Sequence, residues 1–177
     1  IRNTLYPDTL LFPEIFRGSI RMEVDTLTSA FVFPKKADKL FLGEVALKSG
    51  TVLPESVAEE LTLIDTSVTG EVIFPRKSKI ITLINCQVIE NDKFPEADAE
   101  EVLLHRCTLP KKYVFSNQLI RKITFEGMTI GAGLVLNLSY EGIIAFEYCK
   151  IEQGFCLPEV INGQISFLHC AVYGTLK

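Results

Sequence analysis

An apolar marker recurs along the chain every 20 or 21 residues. Phe12, Phe33, Leu53, Phe74, Phe94 and Leu157 each precede proline, and Phe115 and Leu136 fill the same slot without it. A second feature runs in step. Apolar-x-apolar pairs begin at Ile20, Leu40, Leu61, Ile81, Val102, Ile123, Ile144 and Ile165, and each of the first seven lies 13 residues before its next marker. From a marker to the following pair the distance is 7 or 8 residues, so all the variation in the period falls after the proline slot. A constant segment joined to a variable one is what stacking demands: the constant part must keep register, and the variable part is a loop that tolerates insertion. Self-similarity at such a period is the signature of a solenoid.

The columns agree. Two residues after the pair starts stand Met22, Leu42, Leu63, Leu83, Leu104, Phe125, Phe146 and Phe167; seven after stand Leu27, Leu47, Val68, Val88, Leu109, Ile130, Ile151 and Val172. With the pair starts and the markers, this makes four columns that are apolar throughout, which a composition of 47% hydrophobic residues does not produce by chance. The alternation within each pair predicts one short strand per coil. A second is predicted just before the marker, over Phe31-Val32-Phe33, Val72-Ile73-Phe74, Tyr113-Val114-Phe115 and Leu134-Val135-Leu136, where residues are β-branched, aromatic or apolar. Proline then ends that strand, because it has no N–H for a ladder. The predicted fold is a β-rich repeat solenoid: stacked coils of 20–21 residues, each strand pairing with its equivalents above and below in parallel sheets at about 4.8 Å per rung. No interval between strands holds a substantial helix.

Residues 1–177 are read as one solenoid domain of eight full-length strand coils with partial coils at both ends, Ile1 and Tyr6 already falling in register. Neither end carries a distinct polar cap, which solenoids normally need, so the chain is expected to be a section of a longer protein. The formal net charge of −4 offers no basic footprint for nucleic acid. No run approaches 18 consecutive apolar residues, so no membrane insertion is expected.

Chemistry-bearing side chains are few. Cys86, Cys107, Cys149 and Cys170 share one column, five residues after the pair start, with Thr66 in the same slot. Zinc ligands come in close pairs such as C-x-x-C, and none is present. The column is therefore read as structural, small side chains with weak donors in a tight turn; disulfides between neighbouring coils are the alternative. No metal or other cofactor is expected, and unpaired cysteines favour a reducing compartment. Cys156 belongs to the second strand and is expected to point away from the core. His105 and His169 are expected at the surface, with no nucleophile motif around them. Glu126 and Glu147 share a column, the arrangement a two-carboxylate hydrolase uses. Gly131-Ala132-Gly133 falls in a turn between strands and does not form a phosphate loop. The loops after the markers alternate in charge: Lys35, Lys36 and Lys39, then Glu55, Glu59 and Glu60, then Arg76, Lys77 and Lys79, then Glu96, Asp98, Glu100 and Glu101, then Lys111, Lys112, Arg121 and Lys122. Stacking would set opposite charges against each other.

The segment Ile81-x-Leu83-x-x-Cys86-x-Val88 resembles the leucine-rich-repeat consensus L-x-L-x-x-(N/C)-x-L, and the form recurs from Leu61, Val102, Ile144 and Ile165. The short period is similar to that of bacterial effector-type leucine-rich repeats. The usual leading leucine is replaced by Ala37, Ala58, Ser78 or Ala99, and the usual asparagine is absent, Asp25, Val45 or Met128 standing there where cysteine or threonine does not. A right-handed parallel β-helix fits these departures and is the alternative. The resemblance implies a non-enzymatic protein–protein interaction module, and for the effector type, secretion into a host cytosol.

Outward positions of the first sheet lie one before, one after and three after each pair start. There the central coils carry Ile64, Ile80, Ile84 and Leu103, with Phe41 nearby and Thr62, Thr82, His105 and Glu126 around them. A solvated face would be polar at those positions, so this face is the expected binding site. The expected occupant is another protein, another region of the full-length chain, or a second copy. Two further classes stay open: a polysaccharide-binding or -cleaving β-helix, and a structural spacer of an adhesin or fibre.

Overall fold

A computed structural model describes residues 12–23, 26–27, 31–89, 98–110, 113–115, 120–136 and 139–174. Eight strands lie side by side in sequence order as one parallel sheet: β1 (Ile15–Glu23), β3 (Lys36–Gly43), β5 (Ser56–Ile64), β7 (Lys77–Ile84), β9 (Glu101–His105), β11 (Lys122–Glu126), β15 (Ile143–Glu147) and β18 (Gln164–Leu168). Each pair start meets the next, Leu61 against Ile81, Ile81 against Val102, Val102 against Ile123 and onward to Ile165. The chain is thus a parallel β-solenoid of coils of about 21 residues, and the described residues contain no helix.

The variable segment behaves as its spacing requires. Register shifts in the main sheet fall between the proline and the pair, at Phe16/Ser19, Ala37/Lys39 and Val57/Glu60. One such bulge corrects the sequence reading: Val57, not Ala58, occupies the buried column with Ala37, Ser78 and Ala99, because the extra residue is extruded at Ala58.

A second side of the coil was not legible as strand. β2 (Thr26–Leu27), β4 (Ala46–Leu47), β6 (Ser67–Thr69) and β8 (Gln87–Ile89) form a four-stranded sheet, and β12 (Thr129–Ile130), β16 (Lys150–Ile151) and β19 (Ala171–Val172) a three-stranded one. Strands of two or three residues are too short for alternation to register. The predicted strand before the marker is present at β10 (Tyr113–Phe115) and β13 (Leu134–Leu136), which pair, and as single bridges from Ile73 to Val52 and from Cys156 to Val135. It is absent at Phe31–Phe33, which is irregular. The remaining pair is β14 (Ser139–Tyr140) with β17 (Val160–Ile161).

Between the first and second sides each coil from β3 onward turns through one left-handed residue: Glu44, Asp65, Asn85, Arg106, Gly127, Tyr148 and His169, with φ between 50° and 63°. Six of these seven are not glycine, although an L side chain in this region costs roughly 1–2 kcal/mol. A corner repeated in register supplies what offsets the cost. Its N–H donates to the next coil, Asp65 to Ile84 O at 2.9 Å and Asn85 to His105 O at 2.9 Å. Asn85 also donates through Nδ2 to Asp65 Oδ1 at 3.0 Å.

All four apolar columns face inward. Leu40, Leu42, Leu47 and Leu53 are buried, as are Ile81, Leu83, Val88 and Phe74. Coils six to eight stack Phe125, Phe146 and Phe167, at 5.1 and 4.9 Å between ring centroids, with Phe155 edge-on to Phe146 at 5.5 Å. Phe125 and Phe146 are fully buried while Phe167, in the last described coil, is 36% exposed. Ile1, Tyr6, Asp25, Phe94, Glu96, Lys111 and Lys112 lie outside the described residues.

Candidate interaction face

Period-2 alternation turns every second residue of the main strands outward, and the pairings place those residues in rows across the sheet. Phe41 meets Thr62, Thr62 meets Thr82, Thr82 meets Leu103 and Leu103 meets Thr124. A parallel row runs Gly43, Ile64, Ile84, His105, Glu126 and Glu147, and another runs Lys39, Glu60, Ile80 and Glu101. All eight candidate residues, Phe41, Ile64, Ile80, Thr82, Ile84, Leu103, His105 and Glu126, are on this face and half-buried. They do not form one uniform patch. Ile64, Ile84, Ile80 and Leu103 cluster on β5, β7 and β9, whereas Phe41 is capped: its ring reaches over Gly43, and the Arg21 guanidinium stacks 4.0 Å from its centroid. Arg21 is itself held by Glu23 at 2.7 Å.

The polar border is ordered. His105 Nδ1 lies 3.1 Å from Glu126 Oε2, so that carboxylate is shared with the imidazole while Glu147 is its neighbour on the other side. Thr62 donates to Glu60 Oε1 at 2.9 Å, which satisfies the hydroxyl within its own strand. Among the loop charges, Lys39 pairs with Glu59 at 3.2 Å, and Lys35 with Glu14 at 2.7 Å, which lowers the Glu14 carboxyl and raises Lys35. Arg76, Lys77 and Lys79 make no ion pair among the described residues, so the alternation of loop charges is only partly realised as contacts.

The cysteine column sits directly after the left-handed corner, and it is a hydrogen-bond ladder. Cys86 donates to Leu63 O at 3.4 Å, Cys107 to Leu83 O at 3.5 Å, Cys149 to Phe125 O at 3.2 Å and Cys170 to Phe146 O at 3.2 Å; Thr66 does the same to Leu42 O at 3.5 Å. All five cysteines are free thiols, and Cys156 is exposed, as its strand position implied. The Cys86 thiol is held far above the usual range, first by the neighbouring Cys107 thiol and then by burial; Cys107 is lowered by the same neighbour. Burial also raises Cys149. His169 is a corner residue whose ring stacks on Tyr148 at 5.1 Å.

Among the described residues no three His, Cys, Asp or Glu side chains are grouped to hold a metal ion. No helix of the described residues is long and apolar enough to cross a membrane. No protein-family model, curated protein or solved structure matches the chain.

Proposed function

We propose that the chain is a recognition module that docks a partner protein on the outward face of the main sheet. The observation that carries this reading is the placement of Ile64 beside Ile84, with Leu103 diagonal to Ile84 on the next strand and Ile80 beyond Thr82 on β7, on a face whose register would equally admit polar side chains. Burying one such side chain stabilises by about 1.5–3 kcal/mol, so a cluster left half-exposed gains on being covered. The border of Glu60, Glu101, His105 and Glu126 supplies the polar rim that a protein interface has around its apolar centre. In the finer description of the coil, we favour the β-helix cross-section over the leucine-rich-repeat one. The left-handed corner, the short strands on further sides and a described chain without helix support that choice.

A polysaccharide ligand has one feature in its favour, the exposed rings of Tyr148 and Tyr173. Each already has a neighbour on its ring, His169 on Tyr148 and Lys150 at 5.3 Å over Tyr173, so the sheet face is the stronger site. The test is a photo-crosslinker placed at residue 64 and, as control, at the exposed Ile73. A single protein captured from 64, not from 73, and lost when Ile84 is aspartate supports the reading; equal labelling from both positions removes it.

A further inference from the structure

Among the described residues the second side of the solenoid is interrupted between the coils of β9 and β11. Elsewhere its rungs are regular: Ser67 N–H donates to Val45 O, Gln87 N–H to Thr66 O and Thr108 N–H to Cys86 O, then Lys150 N–H to Met128 O and Ala171 N–H to Cys149 O, all at 2.9 Å. The equivalent bond from Thr129 N–H to Cys107 O is not made. Nor are those from Gly131 N–H to Leu109 O and from Leu109 N–H to Thr129 O, whose counterparts are Glu152 to Ile130 O at 2.7 Å and Val88 to Thr108 O at 2.9 Å. The main sheet stays continuous here, with five residue pairs from Lys122/Glu101 to Glu126/His105. The coils therefore part on one side only.

The sequence contains the cause. Pro110 limits its coil to the single bridge at Thr108, and Gly127, Gly131 and Gly133 remove side chains from the facing coil. Gly131 does not need to be glycine for its backbone: its φ is not in the left-handed region, and an added Cβ would meet only Glu152 Oε2 at 3.6 Å. What its missing side chain leaves is space. A cleft of about 400 Å³ opens there, floored by Tyr113, Met128 and Leu134, with Arg106 at its rim. Leu109 is half-buried where Leu47, Val68, Val88 and Ile130 in its column are buried. The volume is that of a ligand pocket, typically about 300–1,000 Å³.

We propose that this cleft binds an extended peptide segment of a partner protein, carrying an acidic side chain, by β-strand addition. Both walls present backbone groups at strand spacing: Cys107 C=O and Leu109 N–H and C=O on one, Thr129 N–H and C=O and Gly131 N–H on the other. Backbone donors and acceptors are costly to leave unmade where water is excluded, and a peptide backbone is the ligand that offers donors and acceptors alternately along an edge. Arg106 and Glu152 both line the cleft; the Glu152 carboxylate is held by Lys150 Nζ at 2.9 Å, whereas Arg106 makes no ion pair among the described residues and is the cation left for an incoming carboxylate. The site is separate from the outward sheet face and does not depend on that reading.

The first measurement is amide hydrogen exchange of the free chain. Thr129, Gly131 and Leu109 exchange at loop rates while Thr108, Lys150 and Ala171 are protected; equal protection of all six closes the cleft and ends the proposal. The second is selection from a library of acetylated, amidated tetrapeptides with aspartate first and three randomised positions. Selected peptides protect the amides of Thr129 and Gly131 and lose at least tenfold in affinity on backbone N-methylation. They lose as much against Arg106→Ala and Gly131→Val, with Gly131→Ala as a milder variant should the valine disturb folding. Failure to select any peptide overturns the inference. So does protection confined to the strands under Ile64 and Ile84, which would place the peptide on the sheet face. Full displacement of a selected peptide by millimolar succinate, with the same protection of Thr129, overturns it in favour of a small carboxylate.

Discussion

Ile64 and Ile84 are lateral neighbours on β5 and β7, paired in register and both half-buried on the outward face. Neither side chain points into the coil, so replacing both with aspartate leaves the inner columns of Leu61, Leu63, Ile81 and Leu83 intact. The Ile64→Asp/Ile84→Asp chain is expected to keep its strand circular dichroism and lose less than about 1.5 kcal/mol in denaturant unfolding, from like charges directly opposite on adjacent strands. It is expected to lose partner capture entirely. An unfolded double variant would mean that these side chains are core and that the assigned register is wrong.

Phe146 tests the opposite side of the same sheet. It is fully buried between Phe125 and Phe167 and meets Phe155 edge-on. Phe146→Ala is expected to destabilise by about 3–5 kcal/mol, the transfer of the ring plus the cavity left behind. Phe167→Ala, at a ring 36% exposed, is expected to cost less than half as much. Urea titrations of the two variants check the order. Equal costs would contradict the difference in burial.

The period, the direction of the main strands and the identity of their inward residues were legible because stacking writes itself into columns. Ile20, Leu40 and Leu61 face inward for the same reason, and any one of them predicts the others. The second side was not legible as strand. Its short members, such as Ala46–Leu47, signal only one inward residue, and their pairing follows from the corner before them. That corner is hidden for another reason: the left-handed slot holds Glu44, Arg106 and Tyr148 as well as Asp65 and Asn85, so no residue type marks it. Of the outward face, the placement of Ile64, Ile84 and Leu103 was legible, but the capping of Phe41 by Arg21 was not, since it depends on Gly43 leaving room for the ring. The cleft at Pro110 and Gly131 was missed because the lost rungs are a property of two coils together.

The cysteines give a pair of counts. Under denaturing, non-reducing conditions a thiol reagent is expected to titrate five groups, and in the native chain Cys156 is expected to react first because it alone is fully on the surface, Cys170 being half-buried. Three or one in the denatured count would establish disulfides between neighbouring coils.

Alkaline pH tests the buried acids. Burial holds Tyr113 well above its ordinary value, and the Cys86 thiol is held up by the neighbouring Cys107 thiol and by burial. Unfolded, a thiol ionises near pH 8.5 and a phenol near pH 10. Above those values the unfolded chain binds fewer protons than the folded one, so stability falls as pH rises. Cys107, lowered in the folded chain, works in the other direction and adds stability as pH rises toward its unfolded value, so the fall is read above about pH 8.5. The melting temperature is expected to fall as pH rises above about 8.5. Cys86→Ala is expected to flatten the first part of the fall, and Tyr113→Phe the part above about pH 10. A melting temperature that rises between pH 9 and 11 would contradict the assignment.

The left-handed corner is open to a direct test at Asn85, where φ is 53°. Asparagine tolerates this region better than most residues, and here its side chain also reaches Asp65 at 3.0 Å. A β-branched residue is the least tolerated there. Asn85→Val is therefore expected to destabilise by roughly 2 kcal/mol, most of it backbone strain. Asn85→Gly removes the strain and the side-chain bond together and is expected to change stability by less than about 1 kcal/mol, glycine's greater freedom in the unfolded chain opposing the relief. Gln87, two residues on, is exposed and extended in β8, so Gln87→Val is expected to be neutral or slightly stabilising. Chemical denaturation of the three variants separates backbone conformation from side-chain chemistry, because the same valine is placed on either side of the turn. If Asn85→Val is as harmless as Gln87→Val, residue 85 does not hold the left-handed conformation, and the corner that joins the first two sides of the coils from β3 onward is misplaced.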